Sequence, residues 1–175
     1  MAEGILTSLA TTLSLPITVH SAGSNPAGYV HPMAICKLIL CLYQISESKR
    51  SFLSLNSLAN KNNLSAALAE INIDISTHTS KHLDSFYPPS KLLKEGEKID
   101  TVITVCGNAD AACPLFPGQV HRYHWGFDDP AKFGEGEGDE KSEEEKKEEF
   151  RRVRDQIQLV FGAYASGLKE GMGWK

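Results

Sequence analysis

The stretch IDTVITVC (Ile99 to Cys106) constrains the fold more than any other in this 175-residue chain. It is dense in β-branched residues and bounded by charged and Gly/Asn turn formers, the composition of a buried strand. A second strand is expected in VHRYHWGFDDP, which runs into an Asp-Asp-Pro turn, and a third in PITVHSAG (Pro16 to Gly23). Helical patterns lie between and around them. MAEGILTSLATTL places Met1, Ile5, Leu6 and Leu9 on one side. Ser142 and Glu145 form an S-x-x-E capping box ahead of a long amphipathic helix whose apolar face is Phe150, Val153, Ile157, Val160, Phe161 and Tyr164. Strands alternating with helices predict an α/β fold with a small parallel sheet flanked by helices.

The chain is long enough for one domain, taken as residues 1–175. Its net charge of −4 gives no basic surface for nucleic acid. Glu135 to Phe150 holds nine acidic and three basic residues, so the remainder is close to +2. An acidic linker is expected at about 133–142. The opening residues lack a basic signal-peptide region, and the longest apolar run, AICKLILCLY, is shorter than the ~18 residues of a membrane helix. A cytoplasmic monomer is expected, touching neither membrane nor nucleic acid. The segment SESKRSFLSLNSLANKNNLS has no clean period and reads as a poorly ordered excursion. AALAEINIDIS reads as a helix end followed by a short strand, and SKHLDSF as a short helix.

Cys106 ends the best strand, and Cys113 follows seven residues later across GNADAA. Three readings compete. Two cysteines can simply be buried apolar residues. They can bind zinc with His121 or His124, although the spacing is wider than the usual C-x2–4-C. They can also form a redox pair. A rigid helix would hold them about 10 Å apart, whereas a disulfide needs Cα atoms about 4.4–6.8 Å apart. A bridge would therefore form and break with a change of conformation.

The combination VITVCGNADAACPLFPGQVHRYHWGFDDPAK, VHSAG, NIDISTHTSKHLD and FRRVRDQI closely resembles the thioredoxin-coupled arsenate reductases of the low-molecular-weight tyrosine phosphatase superfamily. The resemblance implies three thiols acting in turn. A cysteine in a C-x5-R loop attacks arsenate, a second attacks the first and releases arsenite, and a third attacks the second. Thioredoxin then reduces the exposed disulfide. By motif match Cys106 is the second thiol and Cys113 the third, with Asp129 as general acid and Asp128 as its weaker neighbour. The alternative for Asp129 is a plain turn former before proline. Glu3 and Ser21 match positions that hold potassium in some members. Lys81 stands where those members carry an acid, so no potassium and no bound cofactor are expected. His78 is assigned a supporting hydrogen bond, or a purely structural place.

Two departures accompany the resemblance. The pattern requires a strand and C-x5-R ahead of MAEG, where this sequence begins, so the nucleophile loop and a central strand are expected to be missing. About thirty extra residues, roughly 36–66, separate NPAGYVHPMAI from ALAEINIDIS and include Cys36 and Cys41, to which no role carries over. Together these point to a lost first exon and a retained intron. Loss of the strand would leave two unpaired strand edges facing a gap. The run ICKLILCLY could fill it as a surrogate strand, but a helix after HPMA fits the family better. The chain alone is thus expected to be inactive. The rivals are a low-molecular-weight tyrosine phosphatase, which needs neither thiol of the pair, and a non-catalytic remnant.

Overall fold

The computed structural model describes residues 1–23, 38–43, 63–90, 92–94, 97–106, 116–134, 136 and 141–171. Helix α1 (Ala2–Thr12) leads into β1 (Ile17–Ala22), and β2 (Leu38–Tyr43) and α2 (Asn63–Ala69) follow. Then come β3 (Thr101–Cys106), β4 (His121–Phe127) and the 29-residue α3 (Glu143–Gly171). Single 3₁₀ turns occupy Leu83–Phe86 and Pro130–Lys132. Of the expected excursion at 46–65, residues 46–62 lie outside the described residues, as do Cys36 and Cys113, while residues 63–65 open α2 instead of joining an irregular segment. No described helix is long and apolar enough to cross a membrane.

The sheet order is β1-β2-β3-β4. β3 and β4 are parallel, as the alternating pattern predicts. β2 is antiparallel to both of its neighbours, so the sheet is mixed rather than wholly parallel. LILCLY is therefore a strand and not the helix preferred from sequence. It lies where the gap was expected, pairing Ile17–Ala22 on one side and Thr101–Thr104 on the other. An apolar run of this length has no period that separates helix from strand. The decision falls to the two strand edges, whose N–H and C=O groups need partners.

Both faces of the sheet are covered. Ile17, Val19, Ile103, Val105 and Phe127 join Ile5, Leu6, Leu68, Val153, Ile157 and Phe161 in the larger core. Ala22 and Val102 join Leu83, Phe86, Ile99 and Phe116 in a smaller one. Burial on both faces explains why β3 is apolar without alternation.

Local chemistry sets the ends of the helices. Ser142 and Glu145 form the expected reciprocal cap: Glu145 N–H donates to Ser142 Oγ at 3.2 Å, and Ser142 N–H donates to Glu145 Oε2 at 2.9 Å. α1 stops where Ser14 takes a left-handed φ of 56°, with Leu15 N–H on the Ala10 carbonyl at 2.8 Å. α2 stops in the same way at Asn72, φ 58°, with Ile73 N–H on the Leu68 carbonyl at 2.9 Å. Both are Schellman closures. The short strand expected in NIDIS is absent. Asp74 accepts from Ser76 N–H at 2.8 Å and from its hydroxyl at 3.0 Å, and this turn diverts the chain. Ile75 is buried from that loop instead.

The same loop packs on the first turn of α1. A Cβ on Gly4 would lie 2.9 Å from Ile75 Cγ2 and 3.1 Å from Ile73 Cγ2. Gly4→Ala should therefore destabilise the protein by about 1–3 kcal/mol, read as a lowered urea midpoint with unchanged slope. An unchanged midpoint would refute the tight packing. Leu40 pairs with both His20 and Val102 at the middle of the sheet. Proline there removes a donor from a central strand, so Leu40→Pro should abolish the cooperative melt in circular dichroism. A wild-type-like melt would show that β2 is dispensable.

Candidate active site

β1, β3 and β4 run in the same direction, since β2 is antiparallel to both β1 and β3. Their C-terminal ends consequently share one edge of the sheet. Ser21 lies near the end of β1, Cys106 ends β3, and Asp129 follows β4 by two residues. In open α/β sheets this edge is where ligands bind.

Four of the residues singled out from sequence meet at the start of α1. Ser21, 2% exposed, donates its hydroxyl hydrogen to Glu3 Oε2 in a short hydrogen bond. Lys81 Nζ lies 3.6 Å from Glu3 Oε1 and donates to the Thr79 carbonyl at 3.2 Å. His78 Nδ1 lies 3.6 Å from Glu3 Oε2. Gly23 clamps this arrangement, its N–H donating to the Lys81 carbonyl and its own carbonyl accepting from Leu83 N–H, both at 3.0 Å. Glu3 also stands in the first turn of its helix, where a carboxylate complements the exposed N–H groups. Burial pushes the His78 pKa below its ordinary value, against the pull of Glu3. Burial does the same to His20, whose ring packs on Phe86 at 5.3 Å between centroids.

The Asp-Asp-Pro turn separates its two carboxylates. Asp128 is exposed and bound to Arg152 at 2.7 Å, which also holds Glu149. Asp129 is half-buried, and its Oδ1 accepts from Ala131 N–H at 3.1 Å, capping the Pro130–Lys132 turn. Of the cysteines, Cys106 pairs in register with Phe127, placing it beside this turn. Cys41 pairs with Val19 and Thr101. Thr101 lies five residues before Cys106, about 16 Å at 3.3 Å per residue, so Cys41 belongs to the far end of the sheet. That is beyond the reach of a disulfide to Cys106.

Sequence reading missed two links. The late FRRVRD motif and the FDDP turn were both visible, but not that Arg152 ties one to the other. His124, weighed only as a zinc ligand, instead meets Thr104 Oγ1 through Nδ1 at 2.7 Å. Among the described residues no group of three His, Cys, Asp or Glu side chains is placed to hold a metal ion.

Titration of these groups has a definite sign. His20 and His78 are held below 6.5, so folding favours their neutral forms. Their contribution is complete above that value and is lost as pH falls through their folded pKa values. Glu70, hydrogen-bonded by Arg151 and Arg154, is lowered from 4.5 to about 2, and its contribution is lost between those values. Urea midpoints should accordingly fall in two acid steps. His78→Asn should flatten the upper step, and Glu70→Gln the lower. A midpoint independent of pH from 7 to 3 would contradict both assignments.

No family model matches the chain. It is 48% identical over 91 residues to the arsenate reductase of Halalkalibacterium halodurans, covering 52% of this chain and 55% of that protein. It is 44% identical over 94 residues to arsenate reductase from Staphylococcus aureus, covering 54% and 56% respectively. Against the Bacillus subtilis arsenate reductase the identity is 45% over 91 residues, covering 52% and 55%. The chain thus spans about half the length of the curated relatives it matches, and over that half it is related to arsenate reductases.

Proposed function

We propose that this chain works in the reduction of arsenate to arsenite, with Cys106 and Cys113 as a two-thiol relay re-reduced by thioredoxin. The reading also takes the domain to be of the low-molecular-weight phosphatase type. The observation that carries it is the 43–48% identity to arsenate reductases over 91–94 residues. The meeting of β3's end, where Cys106 lies, with the Asp129 turn supports it.

The electron count closes on thiols alone. A thiolate displaces a protonated oxygen from arsenate, with Asp129 supplying the proton, and forms a sulfur–arsenic bond. The Cys106 thiolate attacks that sulfur. The bonding pair passes to arsenic, arsenite leaves with two more electrons, and a disulfide forms. The Cys113 thiolate then attacks the Cys106 sulfur and frees the first thiol. Thioredoxin returns the remaining disulfide to two thiols.

The first thiolate needs an arginine six positions on, and the four cysteines of this sequence have Leu42, Glu47, Ala112 and Gln119 there. These 175 residues are therefore assigned the two exchange steps rather than the attack on arsenate. In the Glu3 cluster, Lys81 supplies the positive charge beside Glu3, the role a potassium ion would otherwise fill.

With arsenate, thioredoxin, thioredoxin reductase and NADPH, the chain alone should oxidise NADPH no faster than the blank. Mild diamide oxidation should give a Cys106–Cys113 bridge detectable by mass spectrometry and reducible by thioredoxin. Turnover at an ordinary enzymatic rate would overturn the assignment of steps. Absence of the bridge would overturn the relay.

A further inference from the structure

The outer face of α3 is covered by no other described element. Phe150, Val153, Ile157, Phe161 and Ala165 turn the opposite side of the helix into the core. On the outside, Arg152, Gln156, Leu159, Ala163, Ser166 and Glu170 are all exposed. They recur at the alternating four- and three-residue spacing of a coiled-coil seam. A surface helix ordinarily turns charged side chains to water. Charges crowd α3 from Glu143 to Asp155, yet no charged residue stands between Gln156 and Leu168. Leu159, near the middle of the seam, is 77% exposed. Gly162, Ala163, Ser166 and Gly167 beside it are small. A Cβ built on Gly162 or Gly167 would meet nothing within 4 Å, so the space around the leucine is open.

This face is complementary to itself when reversed. A two-fold axis between Leu159 and Ala163 sets the leucine of one copy on the alanine of the other, twice over. Gln156 then faces Ser166 of the second copy, and Arg152 faces its Glu170. Every layer of the seam joins a large residue to a small one, or opposite charges. Gly162 meets Gly162 of the second copy at the axis, where the missing side chains let the backbones approach. Asp155 and Lys169 each lie seven residues from Gly162 along the same flank, so they too oppose each other across the pair. Within one chain Asp155 is bound by Arg154, and Arg152 by Asp128 and Glu149. Lys169 and Glu170 have no ion-pair partner among the described residues. The reversed pairing supplies one to each. A parallel pairing would instead set Arg152 on Arg152 and Lys169 beside Lys169.

We propose that α3 docks antiparallel on α3 of a second copy of this chain, with Leu159 packed on Ala163 across the two-fold axis. The dimer replaces the monomer expected from sequence. The seam from Arg152 to Glu170 is about 27 Å long at 1.5 Å per residue. One helix pair of that length is small beside the roughly 1,600 Å² of a standard interface, so the association is reversible rather than permanent. Its specificity lies in the charges at the two ends, which favour the antiparallel register over the parallel one. The proposal does not depend on the relay chemistry, since no cysteine takes part in the seam.

The test is sedimentation equilibrium of the full chain under reducing conditions, from micromolar to millimolar protein. A monomer–dimer equilibrium is expected, weakening as salt is added. Leu159→Glu sets a charge on the apolar layer and should weaken dimerisation about ten-fold or more. Lys169→Glu should weaken it about three- to ten-fold by facing Asp155 with a like charge, and Asp155→Lys added to it should restore the original constant. Circular dichroism melts check that each variant folds. If Asp155→Lys unsettles the helix through Arg154, Glu170→Arg decides, since it turns the end layer into two arginines and should weaken the dimer in the same way. A chain that stays monomeric at every concentration overturns the proposal. A dimer indifferent to Leu159→Glu uses another face and overturns it equally. Weakening by Lys169→Glu without rescue in a folded double variant overturns the antiparallel register.

Discussion

The fold depends on the hydrogen bonding of β2. β1 and β3 each present a row of N–H and C=O groups, and β2 answers both. Unsatisfied buried groups cost on the order of 1–3 kcal/mol each, while a domain is stable by only about 5–15 kcal/mol. A few unpaired positions would consume that margin. Strand direction matters less than pairing, because either edge of a strand offers alternating donors and acceptors. An antiparallel segment can therefore close the sheet and still leave β1, β3 and β4 pointing the same way. Leu38 enters the sheet opposite Ala22 and Thr104, so β2 begins at the edge where Ser21 and Cys106 lie.

What was legible in the sequence was local. IDTVITVC could be read as a strand because β-branched residues between turn formers leave little else, and the Ser142–Glu145 cap because both partners lie within one helical turn. LILCLY could not be read, since its conformation is decided by two strands distant in sequence. NIDIS failed for the opposite reason. Its apolar alternation is real and buries Ile75, but Asn72 closing α2 and Asp74 turning on Ser76 spend the backbone groups a ladder would need.

The site was legible in part for the same reasons. Glu3, Ser21, His78 and Lys81 could be grouped only through the resemblance, because no spacing rule brings residues 3 and 81 together. In the structure the grouping follows from Gly23, whose bridge to His82 fixes the chain carrying Lys81 against the end of β1. The Thr104–His124 contact had no signal in one dimension. It arises from the parallel register of β3 and β4, and a histidine in a strand otherwise reads as an exposed polar residue.

The arginines of α3 separate the two aspartates that the motif leaves side by side. Arg151 and Arg154 are three residues apart on one face of the helix, and both bind Glu70 at the end of α2. Arg154 also reaches the Ala67 carbonyl at 2.9 Å, securing the last turn of that helix. Arg152, turned about 100° away, takes Asp128 instead. One turn of α3 thus grips two elements, the end of α2 and the turn after β4. Asp128 is exposed and committed to Arg152. Asp129 is left half-buried beside the strand that ends in Cys106, with one oxygen engaged in capping its own turn. Nothing in the sequence Asp-Asp-Pro distinguishes the two carboxylates in this way.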